Sequence, residues 1–171
     1  KESARIFKIF REFSPVVERV SLDEAFIDLT GSTRLMGPAQ EVGEQLRSRI
    51  REALSLPVSV GIAPVKMVAK IASAGAKPDG LLEVRAGEVE NFLKALPVSR
   101  IWGVGPVAKE KLKTLGFETI GDVAKADDDT LRDLLGEWGI EIAGLARGED
   151  VREVEPYREA VSRSRCTRVS S

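Results

Sequence analysis

Histidine is absent from these 171 residues, and cysteine occurs once, at Cys166. The first absence excludes Ser-His-Asp and Cys-His nucleophile systems and every His-ligated zinc or iron site. The second excludes an internal disulfide, and Cys166 lies in a polar tail that is a poor setting for a catalytic thiol. Neither sign of charge predominates: 26 Lys and Arg stand against 27 Asp and Glu, a net charge of −1, so no global field draws in a polyanion and any nucleic-acid contact must be local. No run reaches the ~18 apolar residues of a membrane span, and the N-terminal segment is amphipathic and charged, unlike a signal peptide, so a soluble cytoplasmic protein is expected. No internal repeat is convincing. Carboxylates with a hard, oxygen-seeking cation are the remaining route to chemistry.

Hydrophobic residues make up 43% of the chain, enough for one substantial core or two small ones. KESARIFKIFREF places Ile6, Phe7, Ile9, Phe10 and Phe13 on one side of a helix with basic residues opposite. Ser14-Pro15 stops it. Val16 to Leu22 and Ala25 to Thr30 read as two strands, closed by Gly31-Ser32. Residues 38–54 carry Val42, Leu46, Ile50 and Leu54 at helical spacing, LPVSVGIA is a short apolar strand, and Pro64 opens another helix that ends before the turn Lys77-Pro78-Asp79-Gly80. LLEV is again a strand, followed by a helix from about Glu88 to Leu96. This order describes an α/β layer with helices on a small mixed or antiparallel sheet. Strand signals end near Pro97, where a domain boundary is expected. Beyond it, short helices over 119–126, 129–135 and 137–147 are separated by glycines, with Thr119 and Asp128 or Asp129 as caps. Residues 151–171 read as a linker or an edge without its partner.

Three motifs could carry chemistry. In RVSLDEAFIDLTG, Asp23 and Glu24 fall between the two strands; neighbours on a regular strand point to opposite faces, so both carboxylates reach one point only at a turn or bulge. Crowded there they repel, and a divalent cation relieves this; a solvated hairpin tip is the plain alternative. In IWGVGPVAKEKLKTLG, Gly103 and Gly105 flank Val104, Pro106 suits a first helical turn, and Ala108, Leu112 and Leu115 pack the helix. Glycines let a phosphate approach backbone amides at a helix start, the helix-hairpin-helix pattern of DNA-backbone contact; Lys109, Lys111 and Lys113 could add phosphate contacts, though their helical angles cannot all face one ligand. An ordinary helix start after a glycine turn is the alternative. Lys77, at a helix end before Pro-Asp-Gly, could meet an anion or be a solvated C-terminal charge.

Taken together and in order, SPVVERVSLDEAFIDLTG, VSVGIAPVKMVAKIASAGAKPDG and IWGVGPVAKEKLKTLGFETIGDVA resemble the Y-family DNA polymerases, most of all the bacterial DinB branch. The resemblance implies a palm domain over 1–96, an all-α helix-hairpin-helix thumb over 97–150, and a linker over 151–171 toward a little finger domain. It implies that Asp23 and Glu24 are catalytic carboxylates holding Mg²⁺ in two-metal nucleotidyl transfer, Asp23 bridging the ions and Glu24 at the primer end. Lys77 matches the lysine that contacts the incoming deoxynucleoside triphosphate. Gly103, Val104 and Gly105, with Lys109 and Lys111, would grip primer-template DNA. Asp28 is left as structural. A sliding clamp would be reached through regions outside this stretch. The family begins with a strand bearing another metal-binding aspartate and a small fingers domain, neither of which precedes Lys1, so the chain is expected to be a central fragment, inactive alone. Val65 stands where the family often has Asn before the lysine at Lys66, and Ala74-Gly75 where it often has Asp, which touches nucleotide positioning. Other readings are a palm-type nucleotidyl cyclase, which predicts no helix-hairpin-helix, a non-catalytic DNA-binding module, and a polymerase V-type relative.

Overall fold

A computed structural model describes residues 2–155 and 166–170. The first of its two units comprises Lys1–Ala86 and Val151–Ser171. Its elements are α1 (Glu2–Phe13), β1 (Val17–Arg19), β2 (Glu24–Asp28), α2 (Thr30–Met36), α3 (Ala39–Leu54), β3 (Ser59–Ala63), α4 (Lys66–Gly75), β4 (Leu81–Glu83) and β5 (Cys166–Ser170). The strands form one mixed sheet in the order β1-β2-β5-β3-β4, parallel only between β3 and β4.

Strand alternation decides which face each residue takes. Ala25 and Ile27 of β2, Val60 and Ile62 of β3 and Val169 of β5 are buried with Ile6, Phe7, Ile9 and Phe10 of α1 and Val42, Leu46 and Ile50 of α3. Each such side chain contributes about 1.5–3 kcal/mol by leaving water. The opposite face receives α4. There Gly61 comes so close that a Cβ would meet the Ala69 carbonyl and the Ser73 amide. Among the described residues no helix is long and apolar enough to cross a membrane.

Several sequence expectations are corrected. Gly31-Ser32 does not close a strand pair: Asp28 Oδ1 accepts hydrogen bonds from the Thr30 amide (3.0 Å) and hydroxyl (2.5 Å), ending β2 in a turn that starts α2. Part of the expected linker forms a strand. Cys166–Ser170 is the central strand, although only Val169 brings a large apolar side chain to the core. Residues 156–165 and 171 of that linker lie outside the described residues.

The second unit, Gly87–Asp150, contains α5 (Val89–Lys94), α6 (Pro106–Thr114), α7 (Ile120–Lys125), α8 (Asp128–Leu135) and α9 (Glu137–Ala146). It begins ahead of Pro97 because α5 is packed within it: Gly148 lies against Val89, and Gly121 against the Lys94 backbone. Leu93, Val98, Ile101, Leu112, Ile120, Val123, Leu131 and Ile142 are buried. Thr119 caps α7 as expected, in a reciprocal box with Asp122. The cap of α8 is Asp127, whose carboxylate accepts from the Thr130 amide, instead of Asp128 or Asp129. Arg147 ties the bundle by donating to the Ala124 and Ala126 carbonyls at 3.1 and 2.9 Å and to Asp128 at 2.8 Å.

Candidate functional site

The bend between β1 and β2 is tight, because the Val20 and Ser21 amides both donate to the Glu24 carbonyl (2.9 and 3.2 Å). It is also tied to α1. Ser3 Oγ donates to the Leu22 carbonyl at 2.6 Å and accepts from Arg19, whose guanidinium lies over the Phe7 ring. On this support Ser21 Oγ lies 3.2 Å from Asp23 Oδ1 and 3.2 Å from Glu24 Oε2. The two carboxylates thus converge on one hydroxyl, as two neighbours on a straight strand could not. Asp23 is exposed and Glu24 partly buried.

Two hard oxygen donors at one point suit Mg²⁺, which keeps several waters and takes few protein carboxylates. Among the described residues no group of three or more Asp, Glu, Cys or His side chains gathers to hold a metal. Glu24 has a second partner, Arg168 of β5, at 3.0 Å.

Behind Glu24 the sheet face toward α4 is charged. Lys66 Nζ pairs with Glu18 Oε2 at 2.6 Å, and Lys66 and Arg168 both lie over the Phe26 ring, at 4.9 and 5.1 Å. Burial holds Lys70 below the usual lysine range, helped by the Arg168 and then the Arg152 guanidinium and opposed by the Glu24 carboxylate.

Lys77 stands exposed on the turn after α4. That turn is fixed to α3 through Asp79, which pairs with Arg47 at 2.8 Å and with Arg51. Glu24 pairs in register with Ser170, Ser170 with Ser59, and the next residue, Val60, donates to the Gly80 carbonyl. The acidic bend and the Lys77 turn therefore occupy the same end of the sheet, about three strand spacings or 14 Å apart.

In the second unit Gly103 has φ +96°, a conformation that favours glycine, and the Val104 amide donates to the Ile101 carbonyl at 3.1 Å. Gly105, at φ −88°, has no such need, and a Cβ there would meet nothing within 4 Å. Among the described residues nothing demands glycine at 105. Pro106 starts α6, Val104 is buried beneath the turn, and Lys109 and Lys111 are exposed. Helix geometry leaves the first amides of α6 without intrahelical partners.

Sequence reasoning missed Ser21 and Arg168. The Ser-x-Asp-Glu spacing could have suggested the first, since a hydroxyl two residues before a carboxylate reaches it in a turn. No local signal pointed to the second, which depends on where β5 inserts.

The fold and the acidic bend define the class: this is the architecture of Y-family DNA polymerases. Dbh DNA polymerase in an insertion ternary complex matches with a TM-score of 0.80 and 30% identity, covering 90% of this chain and 45% of that one. DinB from Sulfolobus solfataricus matches at 0.78 and 30% identity, over 90% and 46%. The impB/mucB/samB family model matches residues 1–74, and the model of the IMS family HHH motif matches residues 86–117. DNA polymerase IV of Desulfatibacillum aliphaticivorans is 48% identical over 160 residues, 94% of this chain and 40% of that protein. DNA polymerase IV of Ralstonia nicotianae is 44% identical over 160 residues, 92% and 45%. Together these matches support a fragment of the DinB, DNA polymerase IV type. It spans less than half the length of these relatives.

Proposed function

We propose that this chain is the palm and thumb part of a cytoplasmic, DNA-directed DNA polymerase of the DNA polymerase IV type, acting in translesion synthesis and damage tolerance. The first unit is the palm and the second the thumb. The observation that carries this reading is the convergence of Asp23 and Glu24 on Ser21 Oγ, at the sheet end that also bears Lys77.

In the reaction the primer 3′-oxygen forms a bond to the α-phosphorus of a deoxynucleoside triphosphate, and pyrophosphate leaves with the bond's electron pair. Asp23 and Glu24 would hold Mg²⁺ there, and when bound it would supply positive charge that makes the primer hydroxyl more acidic and offsets charge on the triphosphate. Lys77 offers an ammonium to the triphosphate oxygens. Gly103, Val104 and Gly105 present backbone amides to a DNA phosphate, and Lys109 and Lys111 add sequence-independent attraction. The bare surface at Gly105, which no contact among the described residues requires, supports that role.

The test is the full-length protein carrying Asp23→Asn or Glu24→Gln. Primer extension should fall by orders of magnitude while duplex binding persists. Extension at the parent's rate would refute the carboxylate roles and favour a binding module built on a scaffold. The 171-residue chain alone should not extend a primer.

A further inference from the structure

Lys77 is exposed, and among the described residues no hydrogen bond or ion pair holds its side chain. An ammonium on a flexible four-carbon stem returns to one point only if the backbone that carries it is fixed. The residues after Lys77 supply that fixing. Val60 donates to the Gly80 carbonyl at 3.0 Å, and Gly80 lies so close to the end of α4 that a Cβ would meet the Ala76 carbonyl. These contacts seat the far end of the turn on the sheet and on α4. The side toward α3 is held by a carboxylate.

Asp79 uses both of its oxygens there. Oδ1 accepts from Arg47 Nη2 at 2.8 Å and Oδ2 accepts from Arg51 Nη2, the two arginines standing one helical turn apart on α3. Arg47 is itself immobilised. Its Nε donates to the Val58 carbonyl at 3.2 Å and its Nη1 to Glu44 at 2.8 Å, so one guanidinium joins α3, the entry to β3 and the turn. The Asp79 side chain is 36% exposed, and ion pairs this open to water add little to stability. Their effect is geometric, because the carboxylate cannot rotate without breaking one pair or the other. Asp79 and Glu44 match the two arginines in charge, so the clasp brings no net charge to the neighbourhood of Lys77.

We propose that Asp79 is a positioning residue: clasped by Arg47 and Arg51, it fixes the backbone beneath Lys77 and so the place where the ammonium meets the triphosphate. This rests on the reading of Lys77 as a triphosphate contact. The Gly80 contacts belong to the backbone, whereas the clasp is released by changing one side chain that touches neither α4 nor β4 in these bonds.

The experiment is a double-mutant cycle in the full-length protein: parent, Lys77→Ala, Asp79→Ala and the pair, with the deoxynucleoside triphosphate Kd read from single-turnover incorporation and duplex affinity measured alongside. Lys77→Ala should weaken nucleotide binding about tenfold by loss of a charge-assisted contact. Asp79→Ala should weaken it about fivefold, and should cost nothing further in the Lys77→Ala background, with duplex affinity at the parent's value throughout. An equal cost in both backgrounds assigns Asp79 to the fold or to a contact of its own and overturns the proposal. Unchanged nucleotide binding in Asp79→Ala overturns it too, as does tighter binding, the result expected if the Asp79 charge merely repels the triphosphate. Parent-like nucleotide binding in Lys77→Ala removes the triphosphate contact itself, and the positioning role falls with it. Should Asp79→Ala not fold by circular dichroism, Asp79→Asn, which keeps the shape and loses the charge, takes its place under the same criteria.

Discussion

Replacing Gly61 by alanine tests how α4 is positioned. Gly61 lies in β3 on the face toward α4, and an added methyl would enter the space of the Ala69 carbonyl and the Ser73 amide, closer than carbon atoms approach in proteins. Both obstacles are backbone, so no side chain can rotate away; α4 must lift or β3 must bend. Overpacking of this kind costs about 1–3 kcal/mol, and a rigid obstacle on each side puts Gly61→Ala near the upper figure. For a chain of this size about 3 kcal/mol lowers the unfolding midpoint by roughly 10 °C. The control is Gly31→Ala in α2, where nothing lies within 4 Å of the added carbon; there alanine should stabilise by up to about 1 kcal/mol by restricting the unfolded chain. Denaturant titration and thermal circular dichroism of the two variants provide the comparison. A Gly61→Ala midpoint within error of the parent would refute the close approach, and with it the argument that α4 places Lys66, Lys70 and the Lys77 turn from a fixed height above the sheet.

Gly105→Ala should leave the unfolding midpoint unchanged but weaken duplex binding in the full-length protein; a fall in stability without a binding change would assign Gly105 to the fold. Reversing charge at Lys109 and Lys111 should flatten the plot of log affinity against log salt by about 0.9 for each phosphate no longer neutralised, and an unchanged slope removes these lysines from the interface. Asp122 is held below the usual carboxylate range, first by the Thr119 amide and then by the Glu118 amide, against a small opposing effect of burial, with the Thr119 hydroxyl and Lys125 adding to the lowering. Its ionised form is favoured by folding, so its contribution is present at neutral pH and disappears as pH falls through its depressed titration, below the usual carboxylate range. Urea titrations of the parent and Asp122→Asn from neutral pH downward should therefore converge in acid, and a constant gap would contradict the capping role.

Where local pattern and tertiary context agree, the sequence is readable. Ile6, Phe7, Ile9 and Phe10 repeat at helical spacing and are buried together; Thr119 lies three residues before Asp122 and caps α7. The acidic bend is legible because Asp23-Glu24 interrupts an alternating run. Interactions joining distant residues were not legible. Lys66 meets Glu18, Gly61 meets α4, and a tail with one large apolar core residue fills the middle of the sheet. Nothing near CTRVS announces a central strand, since its hydrogen bonds are supplied by β2 and β3, far back in the chain.

Sequence distance gives the placement of β5 a further consequence. Residues 84–165 separate β4 from β5, yet within the 171-residue chain β5 is the strand that joins the β1–β2 pair to the β3–β4 pair. When that chain refolds alone, two separate ribbons with open inner edges must wait for β5, and pairings this far apart in sequence close slowly. The same chain cut back to residues 1–165 should therefore be far more sensitive to protease and to edge-to-edge association than the 171-residue chain.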